Sequence, residues 1–275
     1  VLEDYTGEDE IILEAKNLAA KCEVKLAMFN YLPIGSMQVT TAGIHNVTPN
    51  QQASTSRTAI NDAQRIYKKS GLQALDNLLT LLEENEGKFP IWKASKAYTN
   101  FKGVLVNSTG VFQNHYDIFS SVQTFISLVP EIKIVESQFI KPAITAEVLA
   151  EIKTKVTTGF SEADLLIFNT VKDKVQAAIV LFTVSKTLGS GMYYQSSTGF
   201  QIRFDILDYE RKFAAQNQID HHIGAQIVQK KSEATNFLKE ALDLIQDNTT
   251  IFTTYILPEA VKRTSFIATP GFVSI

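Results

Sequence analysis

A single cysteine, Cys22, stands among 275 residues. No disulfide can close within the chain, and no thiolate set for zinc or an iron–sulfur cluster can be assembled from it, which fits a reducing compartment. Glycine (13) and proline (7) are scarce, while apolar residues make up 45% and charged residues 20%. That balance excludes collagen-like and low-complexity chains and leaves a globular one long enough to bury a core. Charge of one sign is lacking too, because 26 basic against 29 acidic residues leave a net charge of −3. No general field draws the chain to nucleic acid, so only a local basic patch could do so. Long apolar runs are also missing. The longest, Ala177 to Val184, is interrupted by Thr183 and followed by Ser185 and Lys186, far short of the roughly 20 residues of a membrane span. No transmembrane helix is expected. Residue 1 is Val and no basic-then-apolar leader follows it, so no secretory signal is expected either.

What is present is helical periodicity broken by short β-like stretches. Glu10 to Tyr31 carries Leu13, Leu18, Cys22 and Leu26 at helical spacing, and Pro33 is expected to end that helix. Met37 to Val47, with Val39, Thr40 and Thr41 before Gly43, suits a short hairpin. From Gln51 to Asn85 the helical stripe returns through Ile60, Ile66, Leu75, Leu78, Leu79 and Leu82, with a kink or break expected at Gly71. In the middle, Val104-Leu105-Val106 and Val111-Phe112 flank Asn107-Ser108-Thr109-Gly110, which spells a second hairpin. Short helices are expected around Asp117 to Leu128, Ile132 to Ile140 and Thr145 to Val156, bounded by Pro130, Pro142 and Gly159. Ser161-Glu162-Ala163-Asp164 reads as a capping box opening a helix to about Thr187. Met192 to Phe204 suits another hairpin, and a long helix is expected over Asp208 to Asp247.

The order helix, hairpin, long helix thus occurs twice. Leu75, Leu79, Leu82, Asn85, Phe89 and Trp92 recur 163 positions on as Leu238, Leu242, Ile245, Asn248, Phe252 and Tyr255. The hairpins correspond at an offset of about 155, placing extra residues of the second copy near Asp208 to Ala215. A duplication explains this register; chance likeness of two amphipathic helices is the alternative. The expected fold is mainly α with short β-hairpins, two pseudo-repeated helix–hairpin–helix units forming a helical bundle. Its parts are a first unit over 1–98, a central hairpin with short helices over 99–160, a second unit over 161–256 and an extended C-terminal tail over 257–275.

No arrangement of residues asks for an enzyme. His221 and His222 are adjacent on a helix and point about 100° apart, with Ala225 and Gln226 at the positions where a helical metal pair would need ligands. His45 and His115 have no cysteine or paired acid nearby and read as surface residues. Gly189-Ser190-Gly191 lacks the glycine spacing of a nucleophile elbow and the Lys-Ser/Thr of a phosphate loop. Glu83, Glu84 and Glu86 read as solvated carboxylates at a helix end. Lys68-Lys69 and Lys230-Lys231 could touch nucleic acid, although the solvated face of a helix accounts for them. No cofactor, metal or small-molecule substrate is expected. The tail carries Phe266, Ile267, Phe272, Val273 and Ile275 among Pro258, Pro270 and Gly271, so it should dock either on its own body or on a neighbouring subunit. These five residues are the candidate partner contacts.

Two segments carry a resemblance. Thr58-Ala59-Ile60 through Leu75 to Glu84-Asn85-Glu86-Gly87-Lys88-Phe89-Pro90-Ile91-Trp92, together with Phe125 to Ile132 and Phe139-Ile140-Lys141-Pro142, resemble an uncharacterised family of structural proteins encoded by phages and prophages of Bacteroidetes hosts. The central segment is also similar to the short helices of head-to-tail connector (adaptor) proteins. The resemblance implies a virion subunit in a homo-oligomeric neck ring near the portal, in contact with the portal and other neck or tail proteins. It would be assembled in the host cytoplasm, would meet DNA only in the ring lumen, and brings no catalytic residues. A free-standing helical module that binds protein or nucleic acid is the alternative. An enzyme would instead require a cleft with convergent His, Asp or Ser side chains.

Overall fold

Asp9 opens the first helix: its carboxylate accepts from the Ile11 N–H at 3.0 Å, and Lys88 Nζ holds the other oxygen at 2.8 Å. The chain then stays helical over Glu10–Gly35 (α1). The computed structural model describes residues 9–35, 37–40, 43–46, 57–154, 161–189, 193–196, 199–202 and 216–255, with side chains over 9–35, 58–154, 161–188 and 224–255, and it is mainly α-helical. After α1, Met37–Thr40 (β1) pairs antiparallel with Gly43–Asn46 (β2), and Arg57–Glu84 (α2) returns against α1.

Pro33 does not stop α1, which continues to Gly35. Proline has no N–H, so the carbonyl four residues back loses its helical donor. That carbonyl, of Phe29, accepts instead from Gln64 Nε2 of α2 at 3.3 Å, and the buried Gln64 ties the two helices at this level. Nor does Gly71 break α2. A Cβ there would lie 2.7 Å from Leu26 Cδ2, so the missing side chain sets how closely the two helices approach, which offsets the ~1 kcal/mol helical cost of glycine.

Past α2 a 3₁₀ turn (Glu86–Lys88) leads to Pro90–Lys93 (α3), Lys96–Lys102 (α4), Thr109–Gln113 (α5) and Val122–Val135 (α6). A π-helical turn (Glu136–Ile140), Lys141–Ile144 (α7) and Ala146–Thr154 (α8) complete the central group. The hairpin expected over 104–112 is not there. Ser108 accepts from the Val111 N–H and starts α5 instead, with Glu83 of α2 holding the Thr109 N–H at 3.0 Å and its hydroxyl at 2.8 Å. Val104-Leu105-Val106 is buried and needs no partner strand, because side chains serve its backbone. The Leu105 N–H donates to Glu136 Oε1 at 2.6 Å, and the Leu105 carbonyl accepts from Gln176 Nε2 at 3.0 Å.

Pro130 was expected to bound a helix, yet α6 runs through it. Leu128, Val129, Ile132 and Val135 are buried on both sides of it. At about 1.5–3 kcal/mol each, their burial exceeds the ~3 kcal/mol that an interior proline costs. Ser161 and Asp164 then form the expected capping box: Asp164 N–H donates to Ser161 Oγ, and Ser161 N–H to Asp164 Oδ2, both at 3.2 Å. Glu162–Gly189 (α9) follows. Tyr193–Ser196 (β3) pairs antiparallel with Gly199–Ile202 (β4), and Gln216–Asp247 (α10) returns against α9. The proposed insertion near 208–215 lies outside the described residues.

The main core lies between the central group and the α9–α10 pair, around Phe112, Phe125, Ile132, Ile152, Phe168 and Phe252. Phe168 stacks on Phe252 at 5.9 Å and Phe139 on Phe182 at 4.8 Å. A smaller cluster of Ala15, Leu81 and Phe89 sits at the base of the α1–α2 pair, and Trp92 packs against both clusters. The α1–α2 pair is therefore an arm joined to a body. Beside that base the joint is polar: Asp76 Oδ1 accepts from the Gln123 N–H at 2.9 Å and from the Ser121 hydroxyl at 3.2 Å, at the start of α6. Gln123 Nε2 donates to the Leu72 carbonyl at 2.6 Å.

Candidate assembly surfaces

The carboxylates at the end of α2 are not merely solvated. Glu83 caps α5, and Glu86 accepts from the Tyr98 hydroxyl at 2.5 Å and pairs with Lys102. Burial acts to raise the Glu86 carboxyl, but Lys102 and Tyr98 together outweigh it and the net shift is downward. Burial, then Glu86, pushes the Tyr98 phenol up to about 12. Lys102 also lies 5.3 Å above the Tyr98 ring. The cluster ties the end of α2 to α4 and holds its groups in fixed charge states, the opposite of a proton-transfer site.

His115 is partly buried, with Nε2 3.6 Å from Asp173 of α9. Burial lowers its pKa, and Asp173 opposes this only in part. Its expected place on the surface is corrected accordingly. Cys22 is buried against α2 and burial raises its thiol pKa, which makes it an inert packing residue. Lys230 pairs with Glu233 at 2.8 Å. Among the described residues no group of three His, Cys, Asp or Glu could hold a metal ion, and no described helix is long and apolar enough to cross a membrane. The side chains of His45, His221 and His222, the Ser190-Gly191 turn and the five tail residues Phe266, Ile267, Phe272, Val273 and Ile275 lie outside the described residues.

The structure adds surfaces that the sequence reading did not single out. Phe119 and Ser120 both have positive φ, 57° and 52°, a region costly for side chains larger than glycine. Gln113 Oε1 accepts from the Ile118 and Ser120 N–H groups, and Asp117 Oδ1 from the Phe119 N–H at 2.7 Å. The strained turn is thereby locked and presents Phe119 to solvent. On α1, Leu13 is exposed rather than part of the stripe that packs on α2, in the company of Val24, Tyr31 and Ile34. Leu166 on α9 and Val228 on α10 are also exposed.

Comparison with known proteins adds one likeness. No curated protein and no solved structure matches the chain. Residues 3–102, which take in α1 to α4, are similar to a family of unknown function (DUF6712).

Proposed function

We propose that the chain is a structural subunit of a phage particle, a head-to-tail connector attached near the portal as one member of a homo-oligomeric ring. The observation that carries this reading is the arrangement of the helices. The α1–α2 and α9–α10 pairs flank α6, with α2 and α9 turned toward it while α10 also meets α7, so α1 and the far side of α10 face outward, with Leu13, Val24 and Val228 exposed. A subunit with contact surfaces on two different helices can join its neighbours head to tail and close a ring. The acids Glu83, Glu86 and Glu136 each hold a helix start or a lysine of the chain itself, which is structural work.

In this reading the two units are diverged copies, each with a short hairpin between its long helices. Asn85 Nδ2 donates to the Leu81 carbonyl at 3.0 Å, and 163 positions on Asn248 Nδ2 donates to the Leu244 carbonyl at 2.8 Å. Phe89 and Phe252, four residues further in each copy, are both buried. Gln64 bonds to Phe29 across the first pair of helices, and Ser185 Oγ to the Ile227 carbonyl across the second. The tail residues Phe266, Ile267, Phe272, Val273 and Ile275 supply contacts to a neighbouring subunit.

Gold-labelled antibody against the chain, applied to purified particles from the host strain, tests the proposal. Label at the head-to-tail junction is expected. Particles without label, from cells that contain the protein, would leave a free-standing helical binding module as the better reading.

A further inference from the structure

Helix α1 has two apolar faces. One, with Ala15, Leu18, Cys22 and Leu26, packs against α2 and the base of the arm. The opposite face carries Leu13, Asn17, Ala20, Val24, Ala27 and Tyr31 at alternating steps of four and three, continued by Ile34, and every one of these is exposed. Leu13 is 49% exposed, Val24 and Tyr31 60% and Ile34 67%. Alternating fours and threes make the 3.5-residue repeat of a coiled-coil seam, which a single helix cannot bury. Ala15 and Cys22 are the buried residues of α1, and both lie on the face toward α2, so the packing on α2 leaves the seam uncovered.

The charges beside the seam say what covers it. Glu14 and Lys21 follow seam positions 13 and 20, while Lys16 and Glu23 precede positions 17 and 24. When two such helices run antiparallel, each flank meets the same flank of the other helix. Set Leu13 opposite the second copy's Val24, and Asn17 opposite its Ala20. Glu14 then meets Lys21 and Lys16 meets Glu23, each pair formed twice. Sliding by one heptad in one direction brings Glu23 against Glu23 and Lys21 against Lys21. In the other direction it brings Lys16 against Lys16 and Glu14 against Glu14. A slide of a second heptad leaves Lys21 and Glu23 facing Met28 and Asn30. A parallel pair sets Lys16 against Lys21.

We propose that the outer face of α1 docks the same face of a second copy of this chain, antiparallel and about a two-fold axis between Leu18 and Ala19, in the one register that pairs opposite charges. The contact is self-complementary and closes at two copies. It goes beyond the ring reading: it covers the seam in the free protein, using the α1 surface that a head-to-tail ring contact would take over.

Sedimentation equilibrium of the full chain, wild type beside Glu23→Lys, Lys16→Glu/Glu23→Lys and Val24→Asp, tests this, with circular dichroism to establish that each variant keeps its helices. The wild type should be a dimer that weakens with salt. Glu23→Lys turns two attractive pairs into repulsive ones and should weaken it by about tenfold. The double swap should restore it, and Val24→Asp should give monomers. A monomeric wild type, or a helical double swap that dimerises no better than Glu23→Lys, overturns the proposal.

Discussion

Replacing Glu136 with alanine should be among the most damaging single changes in the body of the protein. Its side chain is 4% exposed. One oxygen accepts the Leu105 N–H at 2.6 Å, and the other meets Lys153 Nζ at 2.6 Å. Glu136→Ala leaves a buried backbone N–H unpaired, a loss of ~1–3 kcal/mol. It also leaves Lys153 Nζ donating to the Gly103 carbonyl at 2.9 Å without its carboxylate partner. Breaking a fully buried ion pair costs about 3–5 kcal/mol. Lys153 keeps 26% of its side chain in contact with water and can turn outward, so its loss falls below that range, to about 1 kcal/mol, and the total should be about 2–4 kcal/mol. Against a typical stability of roughly 5–15 kcal/mol, that is a large fraction. Urea unfolding followed by far-ultraviolet circular dichroism measures it, with an unchanged denaturant slope establishing that stability alone has moved. Lys153→Met should also cost stability by a different route, because the carboxylate keeps the Leu105 N–H but loses its cation while only 6% exposed. A Glu136→Ala loss below ~0.5 kcal/mol, the range of an ordinary surface change, would refute the claim that this carboxylate holds the 104–106 segment.

Three further outcomes follow from particular contacts. Burial lowers the His115 pKa below its ordinary 6.5, so the stability it confers is present above pH 6.5 and lost as pH falls through the lowered value; His115→Gln should flatten the acid side of a stability-against-pH curve. The Tyr98 phenol, raised from 10 to about 12, makes the opposite contribution, present below pH 10 and lost between pH 10 and about 12; absorbance titration should show a late-ionising tyrosine that Tyr98→Phe removes. Gly71→Leu should separate α1 from α2, because even its Cβ would lie 2.7 Å from Leu26. Thermal unfolding should then show a loss of at least ~1 kcal/mol, in the overpacking range, whereas a neutral result would contradict the close approach.

Much of the framework was legible because it follows local rules. The apolar spacing located α1, α2, α9 and α10 to within a few residues at most described ends, and Ser161 with Asp164 marked a helix start that the hydrogen bonds bear out. What escaped depends on residues distant in the chain. Val104-Leu105-Val106 has the composition of a strand, but its partners are Glu136 and Gln176, 31 and 71 positions away. Glu83 likewise reaches 26 positions to start α5. Prolines were read as stops, although Gln64 takes over the bond that Pro33 forfeits and burial carries α6 past Pro130. The α1 seam was legible in principle. It was hidden because one helix bears two apolar faces, and a stripe drawn through Leu13, Leu18, Cys22 and Leu26 mixes both. The turn that lifts Phe119 into solvent leaves no periodic trace, since Gln113 and Asp117 impose it through side-chain bonds.

The most direct test of the connector assignment is the number of copies of this chain in each purified particle relative to its portal protein, by quantitative mass spectrometry. A ring subunit fixed to the portal should appear in a constant, small whole-number ratio to it across preparations. Absence from the particle, or a ratio that varies with purification, would contradict the assignment.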